Sequence, residues 1–295
     1  MHRGAIAYSP GEAEVLTFPP FRFYFLPGRE ARPRDPNARA GPPGLHRPHR
    51  PCPFDADDFL AEREVLRVAR GGRSYHIALN RFPVLKLHHL AIRPSSEAEV
   101  TLPQRLGGAE EIEDMLRLAA LLGPPYRFFF NSNQGADGSR SGSSVNHWHF
   151  QIFPSDFGAV WRATRTTSGA GPVERGAISD WPARHRLYRS RDGEALATAL
   201  WADVRAVDAL DRAYNVEILA LGEGDLLALL FPRSPVGDLS LPDGNVLSGD
   251  FGGFELTGGV VVPGRSIFQW VQSHPREAVR RMIERIREGT SEPPP

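Results

Sequence analysis

Cysteine is nearly absent from this chain. Cys52 stands alone among 295 residues, so no internal disulfide framework can form, and a reducing, cytoplasmic setting is expected. Lysine is as scarce. Lys86 is the only one, the other basic residues being arginine, which removes nearly every candidate for a lysine nucleophile or Schiff base. Net charge is missing too: 35 basic residues balance 35 acidic ones, so the whole-protein field gives no reason to expect nucleic acid or an anionic membrane as partner. No apolar run approaches the roughly 18 residues of a membrane span, and no basic-then-apolar signal pattern opens the sequence. What is present is a 41% hydrophobic fraction, enough for an ordinary globular core in one large domain or two small ones.

The first third is punctuated by Pro, Gly and Arg. Residues 27–55 have neither helical nor strand period and read as an extended arm or loop. Helical periodicity is expected from Asp57 (DDFLAEREVLRVAR), with Gly71-Gly72 as its stop. Strands are expected over 75–82 and 88–94, a helix over Glu110 to Leu122, and a strand over 126–133. The loop GADGSRSGSS (135–144) then leads into VNHWHFQIF (145–153). A second helix from about Ala195 to Leu210 precedes AYNVEILALGEGDLLALLFPRSP (213–235), which parallels HIALNRFPVLKLHHLAIRP in shape, and a last helix covers roughly His274 to Glu288. This grammar suggests a duplicated α+β module, divided as an N-terminal arm (1–56), a first module (57–165) and a degenerate second module (166–295).

The chemistry concentrates in VNHWHFQIF. Strand alternation sets His147, His149 and Gln151 on one face and Trp148, Phe150 and Ile152 on the other. Burying two imidazoles and an amide without partners costs about 1–3 kcal/mol each, so the polar face must meet water, a ligand or a hydrogen-bond network. The preceding Gly/Ser loop suits oxyanions, because glycine lets backbone N–H groups approach closely. A neutral imidazole beside such a cradle points to nucleophilic attack on phosphorus, and a second ring two residues away has a reason to be there: it orients the first. Metal ligation is the chemical rival, since His-x-His on a strand also suits a metal.

HWHFQ resembles the His-x-His-x-Gln signature of the histidine-triad superfamily. The similarity is to the branch holding galactose-1-phosphate uridylyltransferase, diadenosine tetraphosphate phosphorylase and the GDP-hexose phosphorylases, the last most of all. LPQRL (102–106), PPYRFFFNSNQG (124–135), SVNHWHFQ (144–151), YNVEILALG (214–222) and FELTGGVVV (254–262) resemble its segments in the same order. The resemblance implies a histidine-triad-like α+β fold of two related modules, each an antiparallel sheet with flanking helices. It also implies an enzyme, a nucleotidyltransferase or phosphorylase acting on a nucleoside diphosphate-linked substrate, such as a GDP-hexose, with phosphate or a sugar phosphate as acceptor. His149 matches the nucleophile, His147 the supporting histidine, and Gln151 the uncharged donor that marks the transferase branch. Asn80, Arg81 and Phe82, with Pro83, match a turn lining base and ribose. Asn131, Ser132, Ser143 and Ser144 are candidates for phosphate or sugar contacts, and Arg140 for a charged contact to phosphate. No cofactor is required by this chemistry.

Two features depart from the branch. The loop before His147 looks longer than in the GDP-hexose phosphorylases, which leaves sugar and acceptor open. Cys-Pro-Phe-Asp resembles the Cys-Pro-x-Cys zinc knuckle of the uridylyltransferase branch with Asp55 in place of the second thiolate, so a structural zinc on Cys52, Asp55 and His147 is the metal-binding alternative. The functional alternatives are a diadenosine polyphosphate phosphorylase, a nucleotide hydrolase, or a nucleotide-binding protein without catalysis. The expected partners are small: a nucleotide or nucleotide sugar and a phosphate acceptor, with no nucleic acid and no membrane, for a monomer or homodimer.

Overall fold

The computed structural model describes residues 13–27, 54, 63–94, 103–143, 145–154, 165–168, 171–237, 239–241, 244, 246–248 and 251–294. Among them a ten-stranded, wholly antiparallel sheet dominates. Its first five strands are β3 (Glu64–Arg70), β4 (Arg73–Leu79), β5 (His89–Ile92), β6 (Tyr126–Asn131) and β7 (His149–Pro154). The other five are β8 (Arg165–Ser168), β9 (Glu174–Ile178), β10 (Arg186–Ser190), β11 (Tyr214–Gly222) and β12 (Asp225–Pro232). Their order across the sheet is β3-β4-β5-β7-β6-β11-β12-β10-β9-β8. The order is a palindrome of two five-stranded units meeting at β6 and β11. Each unit inserts one helix between its third and fourth strands in chain order, α1 (Ala109–Leu122) and α2 (Gly193–Asp208).

Both helices cover the same face. Ile112, Met115, Leu116 and Ala119 of α1 and Leu196, Leu200, Val204 and Val207 of α2 recur at helical spacing and pack with Phe128, Phe130, Trp148, Phe150, Val216 and Ile218 into one core. Asp192 caps α2, accepting from the N–H groups of Glu194 and Ala195. The other face is covered unevenly. Over the second unit lies a three-stranded sheet of β1 (Glu14–Phe18), β2 (Phe21–Phe25) and β15 (Gly259–Val262), with α4 (Arg265–Ser273) and α5 (Pro275–Glu288). Phe21, Phe23, Val260, Phe268, Met282 and Ile286 bury Leu227, Leu229 and Phe231 beneath them. The short hairpin of β13 (Leu239–Ser240) and β14 (Val246–Ser248) and the one-turn helix α3 (Gly253–Leu256) complete the described elements.

The duplication can be checked residue by residue. His88 packs edge-on to Phe153 at 5.0 Å in the first unit, and His185 packs on Phe231 at 5.6 Å in the second. Matching those ring pairs carries His149 onto Leu227 and Ile92 onto Arg189, and the registers agree: Ile92 lies opposite His149, and Arg189 opposite Leu227. The second unit therefore has leucine where the first has its central histidine, and its face is apolar there.

Three expectations need correction. Glu64–Arg70 is a strand, not the end of a helix. Gly71 and Gly72, with φ of 54° and 77°, form the two-residue turn of a hairpin, and Asp114 of α1 ties the hairpin down by bonds to Arg70 (2.9 Å), Arg73 (2.7 Å) and the Tyr75 hydroxyl (2.7 Å). The hairpin β11-β12 matches β6-β7, not the β4-β5 hairpin that it parallels in shape; the counterpart of β4-β5 is β9-β10. Finally, Val145 to Trp148 precede the strand, which begins at His149. No helix among the described residues is long and apolar enough to cross a membrane.

The seam between the units carries one fully buried ion pair, Arg127 of β6 with Glu217 of β11, their side chains 2% and 0% exposed. Burial pushes the Glu217 carboxyl up and the Arg127 guanidinium down, and each partner opposes the other's shift. Glu217→Ala removes the carboxylate that compensates the buried guanidinium and is expected to cost about 3–5 kcal/mol in urea unfolding, whereas the double change Arg127→Met with Glu217→Leu recovers most of that loss.

Candidate active site

His149 opens β7 on the face away from the helices. Its ring is 6% exposed, and its Nδ1–H donates to the His147 carbonyl at 2.7 Å, a bond that fixes the tautomer and makes Nε2 the unprotonated nitrogen. Burial pushes the imidazole down to about 4, the His147 carbonyl opposing and the His147 ring adding to the shift. A neutral ring with a defined lone pair is the form a nucleophile needs.

His147 is fully buried and donates from Nε2 to the Arg93 carbonyl at 2.7 Å. Phe54 lies edge-on to both rings, 5.7 Å from His147 and 5.1 Å from His149, and with Val145, Leu90 and Ile92 walls them from solvent. So the two histidines and Phe54 share a side although His147 is outside the strand, while Trp148 turns into the helix-side core. There the indole N–H donates to Glu111 at 2.8 Å. Glu111 also takes bonds from Arg93 (2.6 Å) and from the Gly107 N–H (2.8 Å), locking the exit of β5 to the segment before His149.

Gln151 follows on the same face, half-buried, between Leu90 of β5 and Phe129 of β6. The turn 80–83 is braced from beneath. The Phe82 N–H donates to Asn80 Oδ1 (2.9 Å), the Val84 N–H donates to His88 Nδ1 (3.1 Å), and the Asn80 amide meets His88 Nε2 at 3.1 Å. Because His88 packs on Phe153 of β7, this turn is fixed relative to the histidine strand. Arg81 is exposed, with its guanidinium 5.6 Å from the Phe82 ring.

The loop candidates divide. Ser143 donates to the Val145 carbonyl (2.9 Å) and Arg140 is half-buried; Ser144 lies outside the described residues. Asn131 and Ser132 belong to the framework between the units. Asn131 Oδ1 accepts from Asn215 (2.7 Å) and from the Gly253 N–H (3.0 Å), and the fully buried Ser132 hydroxyl donates to Asn133 O (3.0 Å) and accepts from the Tyr214 N–H (2.8 Å). Gly142 (φ 82°) lies so close to Gly252 that a Cβ would sit 2.6 Å from its nitrogen, which pins the loop to the start of α3. Cys52 and Asp55 lie outside the described residues, among which no three His, Cys, Asp or Glu side chains cluster as a metal site.

Neither any protein-family model nor any curated protein matches the sequence. Solved structures do. The crystal structure of yeast Ap4A phosphorylase Apa2 in complex with Ap4A has 17% sequence identity and a TM-score of 0.64, covering 94% of this chain and 89% of that one. The same protein without that ligand gives 18% and 0.65, covering 92% and 88%, and its complex with AMP gives 19% and 0.60, covering 90% and 85%. The fold matches that of yeast Ap4A phosphorylase Apa2. The likeness covers nearly the whole chain, and the expected α+β fold of two related modules, each with an antiparallel sheet and flanking helix, is the one observed.

The lowered proton affinity of His149 has a direct readout. Its imidazole NMR signals are expected to stay those of the neutral ring across pH 5–8 and to titrate near 4. Since the unfolded ring binds its proton at ordinary pH values, this residue removes stability as pH falls from about 6.5 toward 4 and contributes nothing above that window. A midpoint for His149 near 6.5 would contradict the desolvated, neutral assignment.

Proposed function

We propose that this protein is a nucleotidyl-transferring phosphorylase working through a nucleotidyl-His149 intermediate. The observation that carries the reading is the neutral, walled-in His149, held by its Nδ1–H on the His147 carbonyl. Nε2 would form a P–N bond to the α-phosphorus of a nucleoside diphosphate-linked donor as the P–O bond to the leaving group breaks. An oxygen of inorganic phosphate, or of a sugar phosphate, would then form a new P–O bond as the P–N bond breaks, returning the neutral imidazole. His147 positions the nucleophile through its carbonyl, Gln151 offers an uncharged amide to a phosphoryl oxygen, and the Asn80–Phe82 turn lines base and ribose. Ser143, Ser144 and Arg140 are proposed for the phosphates or sugar.

The donor of first choice is a nucleoside diphosphate sugar such as a GDP-hexose, on the segment resemblance. A dinucleoside polyphosphate is the second, favoured by the fold shared with a protein solved in complex with Ap4A and with AMP. Two units joined in one sheet support a monomer or homodimer as the working form.

Incubation with GDP-, UDP- and ADP-sugars and with diadenosine polyphosphates, with and without phosphate, decides between these readings. Phosphate-dependent turnover of one donor is expected, with a nucleotidyl mass shift on intact protein that names the nucleotide. His149→Ala is expected to abolish the shift and lower turnover by about a thousandfold or more. Turnover equal without phosphate identifies a hydrolase. Calorimetric affinity that His149→Ala leaves unchanged, with no adduct, identifies a binding protein.

A further inference from the structure

The ladder between β6 and β7 stops two positions short of His149. Phe129 lies opposite Gln151, and the same register would set Phe130 opposite Phe150 and then Asn131 opposite His149, but the pairing ends at Phe129. Asn131 has turned to β11, opposite Asn215, with its side chain on Gly253 and Asn215. In the second unit the equivalent pair, Leu219 opposite Leu227, is intact. The strands are therefore opened only in the unit that carries the histidine, at the residue proposed to do the chemistry.

The gap leaves the N–H and C=O of His149 without a strand partner, and one side chain serves both. Gln104, fully buried, donates from Nε2 to the His149 carbonyl at 2.8 Å and accepts the His149 N–H on Oε1 at 2.8 Å. A primary amide presents the same donor and acceptor pair as a facing strand residue, so the side chain takes the place of a missing backbone. Its own backbone is fixed as well, the N–H donating to Asn146 (3.0 Å) and the C=O accepting from the Asn133 N–H (2.8 Å).

The segment around Gln104 is anchored on the second unit. Arg105 binds Asn133 (2.7 Å), Asp208 and Asp211 (3.0 Å), and the Leu106 N–H donates to the Tyr214 hydroxyl (2.9 Å). Asp208 ends α2, and Tyr214 starts β11.

We infer that Gln104 is a positioning residue: its amide replaces the opened strand pair at His149 and transmits the fixed geometry of the second unit to that histidine's backbone. The opening lets the chain from Ser132 to Asn146 leave the sheet as a loop, and the amide keeps that departure from loosening the nucleophile. This deepens the function proposed above and rests on it for its kinetic part only. Misplacement of a reacting group by about 1 Å can cost roughly a hundredfold in rate without weakening substrate binding.

Two variants of the full chain test the inference. Gln104→Met keeps the length and removes both bonds. It is expected to lower the rate of His149 adduct formation about a hundredfold with KM held within about threefold. It should also speed hydrogen exchange of the His149 amide, read by NMR, while Phe150 and Ile152 in the same strand keep their protection. Gln104→Glu can make both bonds only while its carboxyl is protonated, a state favoured by burial. Ionised, it faces the His149 carbonyl with no proton to donate, beside the His149 ring and an Arg105 already taken by Asp208 and Asp211. Near-normal adduct formation at about pH 5–6, falling as pH rises toward about 9, is expected for this variant and not for the wild type.

If the wild type turns over a nucleotide and Gln104→Met matches its rate and its His149 exchange, the inference is overturned and the proposed function stands. If the wild type forms no adduct with any donor, the proposed function fails, and the His149 amide exchange still decides the positioning role. Should Gln104→Met not fold, the pH profile of Gln104→Glu decides, and a profile like that of the wild type overturns the inference.

Discussion

The antiparallel pairing of β6 with β11 is the contact on which the rest of the molecule depends. Five bonded positions, from Arg127 opposite Leu219 to Asn131 opposite Asn215, turn two five-stranded units into one continuous sheet. Each unit alone would leave a central strand edge exposed, with unpaired N–H and C=O groups and an apolar row on either face. Joined, they share one helix-side core. The seam also buries polar groups: Arg127 with Glu217 on one level, and Asn131 with Asn215 and Arg233 on another. Buried polar pairs of this kind are costly if misaligned, which favours one registration of the two units over any slipped alternative.

From that seam follows the difference between the faces. Once the units are aligned, the face away from α1 and α2 must be covered or used. The second unit covers it with phenylalanines of β2 and the apolar stripes of α4 and α5, and its strand reads Leu227-Ala228-Leu229 accordingly. The first unit keeps His149 and Gln151 there, walled by Phe54, Val145, Leu90 and Ile92 and flanked by Phe129 and Phe153. A duplicated module thus serves two ends, one copy as scaffold and the other as the seat of the proposed site. The electrostatics of His149 follow from its seat: desolvation lowers its proton affinity more than the single backbone acceptor raises it, and the ring stays neutral without a charged partner.

Legibility differed from element to element for identifiable reasons. Glu110 to Leu122 has a clean apolar stripe at helical spacing, so its helix was readable to within a residue. Glu64–Arg70 was not: its apolar residues fit either period, and what makes it a strand is a hairpin partner and Asp114, far along the chain from Arg70 at the strand's end. The duplication was visible as a repeated grammar but in the wrong register, because strand-turn-strand pairs look alike locally; only the sheet order sets β11-β12 against β6-β7. Gln104 sits in LPQRL, a segment noted for its resemblance alone. A glutamine side chain acting as a strand partner leaves no period or spacing to find.

The chain's own order of residues determined the identity of the proposed reactive group and the polarity of its surroundings. His-x-His-x-Gln among aromatic residues carries its chemistry wherever the strand is placed, because side-chain type and alternation are local properties. Tertiary structure alone decided which of two similar units keeps polar side chains on the face away from the helices, that Asn131 and Ser132 belong to the seam, and that the backbone of His149 is held by Gln104. Those outcomes depend on contacts between residues far apart in sequence, and backbone hydrogen-bond partners are chosen by the packed sheet rather than by the strand that offers them.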